Sequence, residues 1–309
     1  MLSLWCVASL VFGTVFWLIT IATEASALRS QPYGLLILVK SFAMLFALLC
    51  YMGIRVAIEI AVVGSTSSEA WANSSRMLLS PLMGVTLLYV WLTSVAFSFV
   101  RQMSAMVGPR IMVNLLLGKY RQPKVETRIF MFLDLEGSTS IAERLGHEAF
   151  CRLIQECFRD LADVGIGRNV EIYQYVGDEA ILTWSPALGL EDSNCLRVFF
   201  EFEQSLLRRS EFYRDQFGVL PKFKAGANLG PATVAEIGVF KRDIAYLSDV
   251  LNTAARLESM CRSHNARLLI TEALKEALSE TEHLSCELVG DLELRGKSQR
   301  VGVYRVEAC

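Results

Sequence analysis

Charge is distributed so unevenly along this chain that one soluble core cannot accommodate all of it. Of the 30 Lys/Arg and 32 Asp/Glu side chains, seven fall within residues 1–100: Glu24, Arg29, Lys40, Arg55, Glu59, Glu69 and Arg76. An apolar, sparsely charged third followed by a charged remainder reads as a membrane anchor joined to a soluble domain. The pattern excludes a wholly soluble globule, a disordered chain and a pure multi-pass transporter. A net charge of -2 also lacks the basic excess of a nucleic-acid binder, so no nucleic acid is expected as a partner. The eight cysteines (Cys6, Cys50, Cys151, Cys157, Cys195, Cys261, Cys286 and Cys309) form no CxxC pair and do not cluster with the histidines. Such scatter suits core and surface residues of a reducing compartment rather than zinc or disulfides, which places the charged part in the cytoplasm.

Three apolar stretches approach the roughly 20 residues that a membrane-crossing helix needs: Leu4–Thr23, one inside Gly34–Val63, and Leu82–Val100. The first is read as a retained span. Ala25-Ser26-Ala27 resembles a signal-peptide cleavage site, but no positive charge precedes the apolar run, which is also long. The middle stretch, interrupted by Lys40, Arg55 and Glu59, is either one tilted span or a tight helical pair. Arg101, Arg110, Lys119, Arg121 and Lys124 follow the third stretch, so the positive-inside rule puts the C-terminal side in the cytoplasm of a multi-pass inner-membrane protein. Between span and soluble domain, Met106, Val107, Ile111, Met112, Leu115 and Leu116 recur at helical spacing. They predict an amphipathic connector over Ser104–Tyr120, ended by Pro123 and able to pair with its copy in a second subunit. The resulting division is an anchor of about three helices over 1–100, a connector over 101–125 and a soluble domain over 126–309.

From Arg128 the chain reads Ile-Phe-Met-Phe-Leu-Asp-Leu, an apolar run of strand length with Asp134 at its rim. Glu136-Gly137-Ser138-Thr139-Ser140 follows, then a helix with Ile141, Leu145, Phe150, Leu153, Ile154, Cys157, Phe158 and Leu161 on one stripe. Ser140 with Glu143 suggests a capped helix start whose free amides suit a phosphate. Next, Val170, Ile172, Gln174 and Val176 alternate with Glu171, Tyr173 and Tyr175 before Gly177-Asp178 turns the chain into Ala180–Trp184, a hairpin signal with Asp178 at its tip. Two acids at apolar strand ends beside the Gly137-Ser138-Thr139 turn suit two divalent cations on a nucleoside triphosphate. Strands are expected around Pro221–Ala227 and Ala232–Val239, followed by Asp249-Val-Leu-Asn252-Thr-Ala-Ala-Arg256-Leu-Glu258. On a helix, Asn252 and Arg256 project from one face, where amide and guanidinium can orient a ribose and neutralise phosphoryl charge.

In order, Phe132-Leu-Asp134-Leu-Glu-Gly-Ser-Thr139, Gly177-Asp178-Glu179 and Asn252-Thr-Ala-Ala-Arg256-Leu-Glu258 resemble the catalytic domain of the class III nucleotidyl cyclases, the adenylate and guanylate cyclase family. The resemblance covers about Arg128–Val306. It implies an α+β, ferredoxin-like βαββαβ-type domain, here preceded by a helical transmembrane anchor, that works as a homodimer with active sites between subunits. By the same resemblance Asp134 and Asp178 are the aspartates for two Mg2+ or Mn2+ ions per site, with the Leu135 carbonyl beside them. Asn252 and Arg256 become the ribose-orienting and transition-state-stabilising pair, and Lys297, in Leu294-Arg295-Gly296-Lys297, the triphosphate contact. Gln174 and Ala245 fall where adenylate cyclases usually read the base with Lys and with Asp or Thr. Gln174 both donates and accepts, and so permits adenine without dictating it.

The leading expectation is a membrane-bound adenylate cyclase making cyclic AMP and pyrophosphate from ATP. A cyclase for GTP or a pyrimidine triphosphate, and a non-catalytic nucleotide-binding signalling module, are the alternatives. A transport or ion-sensing unit regulated by the soluble domain is a weaker one, because few polar residues lie in the spans to line a pathway.

Overall fold

The computed structural model describes residues 33–63, 80–240, 242–278, 284–293 and 300–308, with single positions 14, 68, 72 and 76. Leu4–Thr23 and Lys297 lie outside the described residues. The chain divides into two units, Met1–Met112 and Val113–Cys309.

In the first unit, α1 (Tyr33–Val63) packs on α2 (Pro81–Val107). Ser80 caps α2 by accepting the Met83 amide, and Pro81 occupies the first turn, where its missing N–H costs nothing. The two helices are apolar on the outside: Phe42, Phe46, Leu82, Leu88, Leu92 and Phe97 are exposed while Ser41, Ser94 and Ser98 are buried. Met44 and Met83 are buried with these serines, so both small and large residues are buried while other large apolar side chains stay exposed. Among the described residues one helix, Pro81–Ser104, is long and apolar enough to cross a membrane. Within α1 the apolar stretch among the described residues is the shorter Ile37–Ala47, so the multi-pass arrangement expected from sequence is not supported by the described residues.

The expected connector is not one helix. Gly108, at φ 94°, ends α2, and a separate α3 (Pro109–Leu116) follows. The helix stops before Gly118 rather than at Pro123. Tyr120 is buried, accepts the Glu236 amide on its carbonyl at 2.9 Å and donates its hydroxyl to Glu126, which also pairs with Lys119.

Besides two short helical turns, Pro186–Gly189 and Glu191–Ser193, the remaining elements of the second unit are β1 (Lys124–Leu135), α4 (Ser138–Leu145), α5 (His147–Gly167), β2 (Glu171–Val176), β3 (Glu179–Trp184), α6 (Asn194–Arg208), α7 (Ser210–Phe217), β4 (Phe223–Ile237), β5 (Asp243–Leu247), α8 (Asp249–Met260), β6 (Leu268–Thr271), α9 (Glu272–Ala277), β7 (Leu284–Glu293) and β8 (Arg300–Ala308). Strand order is β2-β3-β1-β4-β6-β8-β7, with β5 on β4. β1 lies antiparallel between β3 and β4, so the first four strands with their two helical crossovers form the expected ferredoxin-like βαββαβ core. Alternation along β1 sends Ile129, Met131, Leu133 and Leu135 to one face, against Leu153, Cys157 and Leu161 of α5 and Val198, Phe199 and Phe202 of α6. Phe130 and Phe132 point to the other face, against Val250 and Ala254 of α8. Burial on both faces explains the unbroken apolar run.

Two expected strands, around Pro221–Ala227 and Ala232–Val239, are one strand of 15 residues. Pro231 falls between the stretch paired with β6 (Ala225–Ala227) and that paired with β5 (Thr233–Ile237), so on that edge its missing N–H breaks no ladder.

Candidate active site

Three strands and one helix bring an acidic cluster to the face covered by α8. Asp134, the penultimate residue of β1, is paired across the ladders with Glu179 of β3 and Lys224 of β4. Residues opposite one another in a sheet share a face, so all three project with Phe132 towards α8. There Glu258 is buried and ion-paired with Lys224, whose ammonium also lies 3.3 Å from Asp134 Oδ2. Asp178 sits in the two-residue loop between β2 and β3, after Gly177 at φ 66°, a conformation that glycine adopts without strain.

The electrostatics follow from this crowding. Burial pushes the Asp134 carboxyl up to about 6, helped by the negative charges of Glu258 and Asp178 and opposed by Lys224. Burial likewise raises Glu179 to about 7, with Asp134, Glu258 and Asp178 adding to it. Burial works to lower Lys224, but its pairing with Glu258 and Asp134 leaves it above the ordinary lysine value. Asp178 Oδ2 is buried and has no hydrogen-bond partner. Crowded carboxylates with an orphaned oxygen are a charge surplus that a divalent cation would relieve. Among the described residues, no three His, Cys, Asp or Glu side chains form a metal-binding group of their own. As a pair of carboxylates, Asp134 and Asp178 fit a cation such as magnesium or manganese, which takes one or two carboxylates and draws further oxygens from phosphate or water.

Leu135 ends β1 and its side chain is buried. Gly137, at φ 69°, precedes α4, whose first residues are Ser138 and Thr139. The cap is thus Gly137, three residues before the Ser140 cap expected from sequence, and it makes no side-chain hydrogen bond. Gly146, at φ 76°, then divides what reads as one helix into α4 and α5, although the apolar stripe stays on the core side of both.

Helix α8 is held close to the sheet by glycine. A Cβ on Gly226 would collide with the Glu258 amide and the Ala254 carbonyl and lie 2.7 Å from Leu257 Cβ. Ser248 caps the helix, accepting the Val250 amide at 3.0 Å and donating to the Pro231 carbonyl at 2.6 Å. Val250, Thr253, Ala254, Leu257 and Glu258 are buried against the sheet. Asn252 and Arg256, two and six residues after Val250, therefore fall on the opposite side of the helix, facing away from Asp134.

Gln174 is exposed and paired with Ile181, on the face of the acidic cluster. It reaches that face because the ladder shifts register between Ile172 and Gln174: Tyr173 packs with Tyr246 beside Phe130, whereas Tyr175 stacks on Phe158 of α5 at 4.5 Å. The simple alternation expected over Val170–Val176 fails at that irregularity. Ala245 is buried on β5, opposite Ala235. Sequence reasoning assigned no role to Glu179, Lys224 and Glu258. Only the strand register, for Glu179 and Lys224, and the packing of α8, for Glu258, put them beside Asp134.

A family model described as the adenylate and guanylate cyclase catalytic domain matches residues 120–308. Adenylate cyclase 2 of Rhizobium meliloti (strain 1021) is 34% identical over 222 residues, which cover 72% of this chain and 61% of that protein. The match thus spans about three fifths of the relative's length. A bacterial light-regulated adenylyl cyclase superposes with a TM-score of 0.61 at 18% identity, over 74% of this chain and 65% of its own. The adenylyl cyclase CyaB from P. aeruginosa superposes with 0.54 at 21% identity, over 60% and 96%. At those identities the structural likeness speaks to the fold alone.

Proposed function

The chain belongs to the adenylate and guanylate cyclase catalytic domain family, and from that premise we propose that it is a membrane-anchored, homodimeric adenylate cyclase converting ATP to 3',5'-cyclic AMP and pyrophosphate. The observation that carries this reading is the meeting of Asp134 and Asp178 at one rim of the sheet, with an unpartnered buried carboxylate oxygen between strands that are remote in sequence. Adenine is favoured by the adenylate cyclase of Rhizobium meliloti. Gln174, exposed on the same face, can bond the edge of adenine by donating and accepting. The anchor reading rests on α2, whose large apolar side chains face outward.

In the reaction the ribose 3'-oxygen forms a bond to the α-phosphorus, its proton leaves, and the bond to the β-phosphate bridging oxygen breaks with its electron pair going to pyrophosphate. Asp134, Asp178 and the Leu135 carbonyl would hold Mg2+ or Mn2+, which when bound supplies Lewis-acid charge at the hydroxyl and the triphosphate. Asn252 orients the ribose, and Arg256 neutralises charge that grows on the phosphoryl oxygens. Lys297 is assigned to the triphosphate by family resemblance. No side chain acts as a nucleophile. Because Asn252 and Arg256 face away from the acidic cluster of their own chain, each complete site takes them from a second copy.

The full chain in lipid vesicles, given Mg2+ or Mn2+ and each of the four ribonucleoside triphosphates, should release cyclic AMP from ATP. Asp134→Ala should lower the rate at least about a hundredfold, as removal of a ligand of the cation that stabilises the reacting triphosphate implies. A cyclic product from GTP, CTP or UTP alone would replace adenine in this reading. No product from any of the four would remove the enzyme reading itself.

A further inference from the structure

Lys224 brings its ammonium against the carboxylate of Asp134, the side chain that would hold a cation. Its stem rises from a central strand directly opposite Asp134, and its two carboxylate contacts are unequal. The ammonium lies 3.3 Å from Asp134 Oδ2, longer than a charge-assisted hydrogen bond normally runs, whereas its contact with Glu258 is the closer one. Glu258 is buried, and its backbone presses on Gly226 two residues along β4 from Lys224, so the Glu258 carboxylate and the lysine stem are fixed relative to each other. The ammonium is therefore tethered to α8 and only leans on Asp134.

We propose that Lys224 is a resident counter-ion that a divalent cation displaces from Asp134, with Glu258 as the dock that keeps the ammonium paired once it is displaced. Both are positioning residues that set the metal affinity of the site. The proposal rests on the reading of Asp134 as a metal ligand. In the metal-free protein Lys224 offsets part of the repulsion among Asp134, Asp178, Glu179 and Glu258. On metal arrival the longer contact breaks while the closer one persists, so the lysine is not left buried and unpaired. Removing the ammonium removes a competitor. Removing the Glu258 charge leaves the ammonium with Asp134 alone and makes it harder to displace.

The test is Mn2+ alone, without nucleotide, titrated into the full chain in lipid nanodiscs at fixed pH, with free Mn2+ read by electron paramagnetic resonance. Lys224→Met should tighten the Asp134-dependent site by about fivefold and Glu258→Gln should weaken it by a similar factor, the size expected for one partly exposed charge contact. Lys224→Arg should return the affinity to that of the parent. General loss of fold would weaken binding in both variants and cannot produce shifts of opposite sign. Lys224→Met binding no more tightly, while Asp134→Asn still abolishes the site, would overturn the counter-ion role and leave the metal assignment standing. Mn2+ binding indifferent to Asp134→Asn would overturn both.

Discussion

Glu179 faces Asp134 across two strands, and burial among like charges holds its carboxyl up at about 7 against an ordinary 4.5. The sign of its effect on stability follows. Between those two values an unfolded chain has released the proton and the folded chain still holds it, so the unfolded state binds fewer protons and stability falls as pH rises. The contribution is whole below about 4.5 and lost once pH passes about 7. Metal-free Glu179→Gln and parent should therefore melt at similar temperatures near pH 4.5, with the variant melting higher at about pH 8. An offset that stays constant with pH would show that the shift is not what burial imposes. Asp134 and Asp178 were legible in the sequence only as a combination, two acids at the ends of apolar strands beside the Gly137-Ser138-Thr139 turn, since either acid alone reads as a turn former. Glu179, Lys224 and Glu258 were not, because a charged residue on an unregistered strand or helix reads as solvated until its neighbour across the sheet is known.

Helix α8 buries Glu258 against the sheet and, in the proposed function, offers Asn252 and Arg256 on its other side, and Gly226 is what lets it lie so close. Gly226→Ala would drive a methyl into backbone atoms of Ala254 and Glu258, which cannot rotate away as a side chain tip can. The helix must lift, at a cost of about 3 kcal/mol, the upper part of the range for overpacking. Chemical denaturation should show that loss. Cyclase rate should fall further than stability alone explains, because Glu258, Asn252 and Arg256 move with the helix; a variant that keeps the parent's midpoint would contradict the contact. Periodicity identified the core stripe of α4 and α5, and alternation with the Gly177-Asp178 turn identified the β2–β3 hairpin. It failed where one residue changes direction without changing composition. Gly108 and Gly146 each cut one apparent helix in two, the irregularity at Tyr173 reversed the faces of a strand, and Pro231 masked the continuity of β4 because its unpaired edge is visible only in the sheet.

At the scale of the whole molecule, the proposed function and the burial pattern of α8 together imply that the chemistry of one chain divides into two half-sites. Glu258 points in towards Asp134, and Arg256, two residues earlier, points out. In a two-fold symmetric dimer each complete site would take Asp134 and Asp178 from one copy and Asn252 and Arg256 from the other. Asp134→Ala and Arg256→Ala chains, each inactive alone, should then complement. A mixed dimer places both lesions in one site and leaves the other intact, and random pairing makes half of all dimers mixed, so activity should recover to about a quarter of the parent's. If both residues instead served a site within their own chain, every site in the mixture would lack one of them and no activity would return. Co-expression with two different affinity tags, followed by sequential capture, isolates the mixed dimers and raises the expected recovery to about a half. Activity at that level, together with none in either homodimer, is what the opposed faces of α8 require, and inactive mixed dimers would rule out a shared site.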